Sequence, residues 1–299
     1  MDIEKEKYEI LDPFANMLGL KVDEVRPDGL TAKVQINPDF CNTYMAAHGG
    51  FAFSIGQIAA ALSAELCLGR PAAAVDVDCM YECSLMGKSA RVVTKLVSAA
   101  EGGIVYRVRV LDGKGKLCLS QIVTLRDADL TRAEGVEFKK TIFAADENAP
   151  VDPVTGVAYP HLSVFFTAVC GGYVLARAEK GLIYGMDVRE DTCDVTGAAH
   201  ASLIYTLCDS VAGGSAAFLL DKKPVTIASS IHYLRPAMAS PIRAEARLVR
   251  SGKQLLFYNV DVFDAEDNLA AISHFALQSV EYKTRSDLPP EHHLHAFKD

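Results

Sequence analysis

The chain has 299 residues, of which 50% are hydrophobic, and a formal net charge of −8. This length accommodates one large domain or two modest ones, each with a sizeable core. The acidic excess argues against nucleic acid or an anionic membrane surface as the main partner, because both repel a negatively charged protein. The sequence shows neither a signal-peptide core near its start nor an uninterrupted apolar stretch with the flanks of a membrane span.

Eight cysteines are spread along the chain, and none forms a Cys-x-x-Cys pair. Most lie within apolar runs, which is typical of small buried side chains in a reducing compartment. A histidine-rich stretch from Glu291 to His295 follows two prolines and is interpreted as a solvated tail. We therefore expect a cytoplasmic protein with no metal site.

The predicted elements begin with a strand around residues 30–37, in which apolar and polar residues alternate. A short loop then ends at His48. It leads into a helix predicted over 49–68, with Gly69 as its C-cap. Three strand regions are predicted next, at 73–83, 89–100 and 103–125, and the last is a hairpin turned at 112–115.

The same order of elements occurs a second time at a shift of 152 residues, which places Tyr81 on Tyr233 and His48 on His200. The second copy has its strand at 182–188 and its helix at 201–220. Such self-similarity indicates a duplicated fold. We assign residues 1–128 to the first repeat, 129–160 to a linker, and 161–299 to the second repeat with a C-terminal tail.

Both predicted helices carry apolar residues on nearly every face. A helix of this kind has to be covered by protein on most sides. An antiparallel sheet long enough to wrap one buried helix gives an α+β layer, and two such units can join their sheets. The tyrosines and arginines shared by the two copies, Tyr81, Tyr233, Arg91 and Arg243, are expected to serve in strands and sheet packing.

The repeats differ at one chemically informative position, where Gln57 of the first helix corresponds to Asp209 of the second. A buried carboxylate costs free energy unless hydrogen bonds or a function compensate, so a structural and a functional role for Asp209 have equal weight. At the start of the first helix, the N–H of Gly49 carries partial positive charge and is suited to polarising a carbonyl.

The spacing decides how these groups could cooperate. Positions 201 and 209 lie about 12 Å apart along one helix at roughly 1.5 Å per residue, so Asp209 does not reach a substrate at the start of its own helix. If the two helices run antiparallel, Asp209 lies near Gly49 instead. This geometry predicts a site shared between the two repeats.

The motif Asn42-x5-His48-Gly49-Gly50, with a polar residue nine positions after the histidine, resembles the thioesterases of the hotdog fold in their PaaI-like branch. The resemblance covers nearly the whole chain in the form of tandem hotdog repeats. It implies that the Gly49 N–H polarises a thioester carbonyl and that Asn42 positions substrate or water. It also implies that Asp209 acts as general base or nucleophile, with the Thr226 hydroxyl holding the attacking water.

His48 and Gly50 complete this site in the resemblance as substrate-binding residues. We expect the His48 ring to bond the backbone at the helix start rather than to transfer protons. The pseudo-symmetric second site would combine the residues Asp194, His200, Ala201, Gln57 and Ala74. Because Gln57 is neither base nor nucleophile and Ala74 has no hydroxyl, we interpret the second site as vestigial; whether it binds ligand is open.

The sequence therefore predicts an acyl-CoA thioesterase with one active site between the repeats and no cofactor, since coenzyme A belongs to the substrate. Two alternatives remain: a non-catalytic acyl-CoA-binding or sensing protein, and a hotdog enoyl-CoA hydratase or dehydratase. The acyl group is not fixed by the sequence. A homodimer of double hotdogs is one open arrangement, and neither nucleic acid nor a membrane is expected as a partner.

Overall fold

The computed structural model describes residues 10–42, 45–129, 131–133, 138, 166–220 and 223–280. The predicted linker lies mostly outside these residues, and the histidine-rich tail lies entirely outside them. The division into domains at 128 and 160 therefore stays a prediction.

The first repeat opens with a short helix and closes with three long antiparallel strands. Its elements are α1 (Pro13–Leu18), β1 (Lys21–Arg26), β2 (Gly29–Gln35), α2 (Gly49–Leu68), β3 (Ala72–Tyr81), β4 (Ser89–Ala100), β5 (Gly103–Asp112) and β6 (Leu117–Asp127). A single turn of 3-10 helix, Pro38–Phe40, precedes the loop that leads to α2.

The second repeat has the same elements in the same order. They are α3 (Phe166–Val169), β7 (Gly172–Ala178), β8 (Gly181–Met186), α4 (Ala201–Leu220), β9 (Pro224–Tyr233), β10 (Ile242–Ser251), β11 (Leu255–Phe263) and β12 (Leu269–Ser279). The predicted bounds of both long helices are confirmed. Gly69 ends α2 in the left-handed conformation that its C-cap role requires.

All of these strands form one 12-stranded antiparallel sheet. Its order is β1-β2-β4-β5-β6-β3-β9-β12-β11-β10-β8-β7, so each repeat contributes one half. The halves join where β3 pairs with β9, with Asp78 opposite Ser230 and Met80 opposite Ala228. This joint places the two repeats side by side and brings α2 and α4 into contact.

Alternation along the strands explains how the sheet covers both helices. In β5, the side chains of Ile104, Tyr106, Val108 and Val110 are fully buried while their neighbours face outward. Helices α2 and α4 are long and apolar enough to cross a membrane by length and hydropathy. However, 72% and 67% of their apolar windows are buried within the protein. They are core helices of an α+β fold, as predicted.

Two short helices were not predicted from the sequence. Helix α1 is six residues long, with the Asp12 carboxylate accepting from the Ala15 N–H at its start and Gly19 closing its end. Helices this short leave too weak a periodic signal to be recognised. Both pack near the starts of the long helices, where Phe14 contacts His200 and Phe166 contacts His48.

Candidate functional site

The starts of α2 and α4 cross in antiparallel fashion with almost no space between the backbones. A β-carbon on Gly49 would lie 2.6 Å from Asp209 Oδ2, and one on Gly50 would lie 2.9 Å from the Thr206 Cα. Further along, Ser54 Oγ lies 3.4 Å from the Ser202 carbonyl oxygen. Because glycine has no β-carbon, the two helices can approach this closely. The close approach places Asp209 of one repeat against the helix start of the other.

Asp209 is 7% exposed. The Thr226 hydroxyl donates to its Oδ1 at 2.6 Å, while Oδ2 faces the start of α2. Thr226 stands at the beginning of β9, one strand after the helix that carries the acid. A charge-assisted hydrogen bond of this kind stabilises the buried carboxylate. The second oxygen stays directed towards the region around Gly49.

The His48 ring caps α2 rather than pairing with the acid. Its Nδ1 accepts a hydrogen bond from the Gly50 N–H at 3.0 Å. Asp209 Oδ2 lies 3.5 Å from the same nitrogen, and two acceptors do not bond each other. Burial lowers the pKa of His48, although the Asp209 charge opposes this shift. The ring is therefore neutral near pH 7, and its expected bond to the backbone is present.

A chain of hydroxyl groups fixes the first peptide of α2. Tyr81 donates to the Gly49 carbonyl oxygen at 2.9 Å and lies 3.0 Å from the Tyr205 hydroxyl, which in turn lies 2.6 Å from Ser229 Oγ. Because the Tyr81 proton is engaged, Tyr205 donates to Tyr81 and Ser229 donates to Tyr205. The expectation that Tyr81 serves sheet packing was incomplete. Its recurrence as Tyr233, which donates to the Ala201 carbonyl oxygen, was the available signal.

A cavity of about 490 Å³ opens beside Gly49 and Asp209 and is lined by both repeats. Thr226, His48 and Asn42 also line it. The Asn42 Oδ1 accepts from the Ala46 N–H at 3.3 Å, which shapes the loop before α2. The structure thus brings the residues predicted for the first site to one cavity. Gly50 stands just behind them, where its N–H is used by the His48 cap.

Comparison with solved structures identifies the fold. A structure from Alicyclobacillus acidocaldarius, described as a conserved protein with the hot dog fold, superposes with a TM-score of 0.63 at 11% identity, over 92% of this chain and 100% of its own. The acyl-CoA thioesterase II TesB2 of Mycobacterium marinum superposes with a TM-score of 0.57 at 11% identity, over 90% and 97%. This chain has the hotdog fold.

Sequence comparison adds a match within the second hotdog. A family model described as the thioesterase superfamily matches residues 196–271, from the loop before α4 into β12. A Saccharolobus solfataricus protein named as a candidate esterase is 28% identical over 103 residues, which is 33% of this chain and 68% of its own length. The family match therefore falls on the repeat that carries Asp209 and Thr226.

The pseudo-symmetric site of the tandem hotdog is closed by a neutral network. Gln57 Oε1 accepts from Ser202 Oγ at 2.9 Å and from the Tyr233 hydroxyl at 3.1 Å. Ser202 stands where the first site has Gly50, and Ala74 stands where it has Thr226. The amide oxygen is thus committed to two donors, and no carboxylate is present at its position.

The remaining residues of that second site serve the local backbone. Asp194 Oδ1 accepts from the N–H groups of Thr196 and Ala198, at 2.8 and 3.2 Å, and so closes the turn before α4. His200 Nδ1 accepts from the Ser202 N–H at 3.0 Å, and its Nε2 lies 3.0 Å from Asp12 Oδ2. Since Nδ1 accepts, Nε2 donates. This tether to the N-terminal segment was missed because α1 had not been predicted.

Proposed function

We propose that this double hotdog is an acyl-CoA thioesterase with one active site per chain, formed by Gly49 and Asp209. The observation that carries the proposal is the placement of a buried carboxylate of one repeat against the free helix start of the other. The thioesterase match over residues 196–271 supports the same reaction class.

The start of α2 supplies a site for the thioester oxygen. The Gly49 N–H is the first of the helix and has no intrahelical acceptor. The carbonyl oxygen of the same peptide, that of His48, accepts from the Ala52 N–H at 3.0 Å, and Tyr81 holds the next carbonyl oxygen, so the orientation of this N–H is fixed before substrate arrives. An N–H preorganised in this way stabilises the oxyanion that develops when the thioester carbonyl is attacked.

Asp209 drives the attack on that carbonyl. As a general base it takes a proton from water, whose oxygen adds to the carbonyl carbon; the carbon–sulfur bond then breaks to give the acid and coenzyme A thiol. As a nucleophile its carboxylate oxygen adds to the carbonyl carbon and the carbon–sulfur bond breaks, which releases coenzyme A and leaves an anhydride that water hydrolyses in a second step. In either case Thr226 holds Oδ1 and leaves Oδ2 for the reaction.

The hydratase alternative is disfavoured by the His48 geometry. Hydration of an enoyl thioester calls for an acid and a base that act together at one site. Here His48 Nδ1 accepts from Gly50 and does not donate to Asp209, which lies 3.5 Å away. The site therefore offers one base and one oxyanion donor, which is the set that hydrolysis requires.

Thiol release from a panel of short, long and aryl acyl-CoAs tests the proposal. Asp209→Asn should lower kcat/KM on the order of 100-fold or more, since the base is lost while the shape is kept. The matched control is Gln57→Glu, the pseudo-symmetric position, which should leave the rate within a few-fold. Acyl-CoA binding by wild type without any turnover would instead establish a binding protein.

Single-turnover hydrolysis in isotopically labelled water separates the two roles of Asp209. Label found in the Asp209 carboxylate means that the carboxylate attacked first. Label found in the released acid alone means that water attacked the acyl carbon, and capture of an Asp209 hydroxamate by hydroxylamine then distinguishes an anhydride from direct attack on the thioester. Both results would sustain the thioesterase proposal.

A further inference from the structure

The far wall of the cavity holds a polar group with no protein partner. Tyr184, on β8, is 1% exposed and lines the cavity. Its hydroxyl makes no hydrogen bond to any of the described residues. Burial raises the pKa of this phenol, so it remains a neutral donor. A hydroxyl that faces a cavity without a protein partner bonds only to what occupies that cavity, which points to a partner supplied from the substrate or from water.

The two repeats differ reciprocally at this tyrosine and at the helix position that it contacts. Tyr184 corresponds to Ala32 of the first repeat, and Gly214 of α4 corresponds to Leu62. A β-carbon at position 214 would overlap the Tyr184 hydroxyl. The larger residue therefore stands on the strand in the second repeat and on the helix in the first. A phenylalanine at 184 would restore the volume equally well, so packing does not account for the oxygen.

Small residues continue this space along α4. Phe218 lines the cavity near the end of α4. Between Asp209 and Phe218, the lining residues of this helix are Ser210, Gly213, Gly214 and Ala217. Their counterparts in the first repeat are the larger Ile58, Ala61, Leu62 and Glu65. Gly214 lies five residues beyond Asp209, which is about 7.5 Å along the helix axis. The Tyr184 hydroxyl therefore lies roughly one short acyl chain away from the reacting carboxylate.

The charged residues around the cavity restrict which ligand group can hydrogen-bond to the Tyr184 hydroxyl. Among the described residues that line it, the side chains with a carboxyl group are Asp209 and Glu82, and neither lysine nor arginine is present. A carboxylate buried at this distance from Asp209 would have no cation to pair with, which is strongly unfavourable. A neutral oxygen suits the site.

Resting on the proposed thioesterase function, we propose that Tyr184 is a specificity-determining residue that hydrogen-bonds a neutral oxygen at the distal end of a short acyl group. The substrate class is then an acyl thioester that carries a hydroxyl or carbonyl group about 7.5 Å from its thioester carbon. The acyl chain lies along the small residues of α4, with its thioester at Gly49 and its oxygen at Tyr184.

Two thioesters of equal length test this assignment. Heptanoyl-CoA and ω-hydroxyhexanoyl-CoA differ only in whether the last heavy atom is a methyl carbon or a hydroxyl oxygen. Wild type should prefer the hydroxylated substrate in kcat/KM by about fivefold, the worth of one neutral hydrogen bond. Tyr184→Phe should abolish this preference while hydrolysing heptanoyl-CoA at the wild-type rate or faster. Adipoyl-CoA, which ends in a carboxylate, should be the poorest of the three.

Tyr106→Phe provides a matched control. Tyr106 is likewise a buried tyrosine whose hydroxyl lacks a partner among the described residues, but it does not line the cavity. Its removal should leave the preference unchanged. Circular dichroism and thermal unfolding of both variants confirm that each is folded.

The possible outcomes distinguish a failure of the Tyr184 assignment from a failure of the proposed thioesterase function. Thioester hydrolysis that depends on Asp209 but shows no preference, or a preference that survives Tyr184→Phe, overturns the role of Tyr184 and leaves the thioesterase intact. A preference for adipoyl-CoA would overturn the proposal that the distal oxygen of the acyl group is uncharged. Failure to hydrolyse any thioester overturns the proposed function and this inference together.

Discussion

His48 shows how one ring nitrogen separates a structural from a catalytic role. Nδ1 accepts from the Gly50 N–H and so occupies the position of an N-cap side chain. An asparagine oxygen reproduces the place of Nδ1, whereas a glutamine oxygen reproduces the place of Nε2. His48→Asn should therefore keep turnover within about tenfold of wild type, and His48→Gln should lose about 1 kcal/mol of stability. Thiol release and urea denaturation measure the two effects. Inactivity of a fully folded His48→Asn would show that the ring takes part in the reaction.

The same residue makes stability depend on pH. Burial lowers the pKa of folded His48 below its ordinary value, so from about pH 6.5 downward the unfolded chain takes up a proton that the folded one refuses. The free energy of unfolding contributed by this group is complete above that pH and falls as the pH drops through the window. His48→Asn should remove this part of the acid sensitivity. Urea denaturation at several values between about pH 5 and 7 detects the difference.

At the scale of elements, the pseudo-symmetric second site differs from the first in more than the missing carboxylate. Ser202 stands in place of Gly50, Ala74 stands in place of Thr226, and α2 has larger residues at the positions where α4 has small ones. Placing a carboxylate at Gln57 restores neither the hydroxyl nor the space. The double variant Gln57→Asp, Asp209→Asn should therefore be no more active than Asp209→Asn alone. Thiol release above that background would show that position 57 was the only obstacle.

The elements that were predictable from the sequence are those with a long local signal. The bounds of α2 and α4 followed from apolar runs and a glycine cap, and the hairpin at 112–115 followed from its turn residues. Helix α1 was not predictable because six residues carry little periodicity. The junction of β3 with β9 was not predictable either, because strand pairing between distant segments leaves no mark in either one.

The site was predictable to the extent that it depends on the comparison of two copies. Helix rise excluded Asp209 from the start of its own helix, and an antiparallel arrangement of the two helices was the further condition that brought it to Gly49. The role that we propose for Tyr184 was not predicted, since alternation in β8 marks this tyrosine only as a core residue. The sequence repeat already showed Tyr184 at the position of Ala32 and Gly214 at the position of Leu62. This difference can be interpreted only once the strand and the helix are known to face one cavity.

At the scale of the whole molecule, the two hotdogs supply different parts of the proposed site, so we expect neither to act alone. Two copies of the first repeat would pair glycine helix starts with Gln57, without a carboxylate. Two copies of the second would bring Asp209 against Ala201, whose β-carbon occupies the space that is already as short as 2.6 Å at Gly49. Only the unlike pair combines an open helix start with an acid.

Dividing the chain within the predicted linker tests this complementarity. Residues 1–145 and 146–299, expressed separately, should each be inactive, and each should expose the sheet edge and helix face that β3, β9 and the long helices otherwise cover. Coexpressed halves should pair and recover thiol release, and Asp209→Asn in the second half should abolish it again. Activity in either half alone would contradict a site shared between the repeats. A coexpressed pair that is folded but inactive would place the essential contribution in the residues around the division instead.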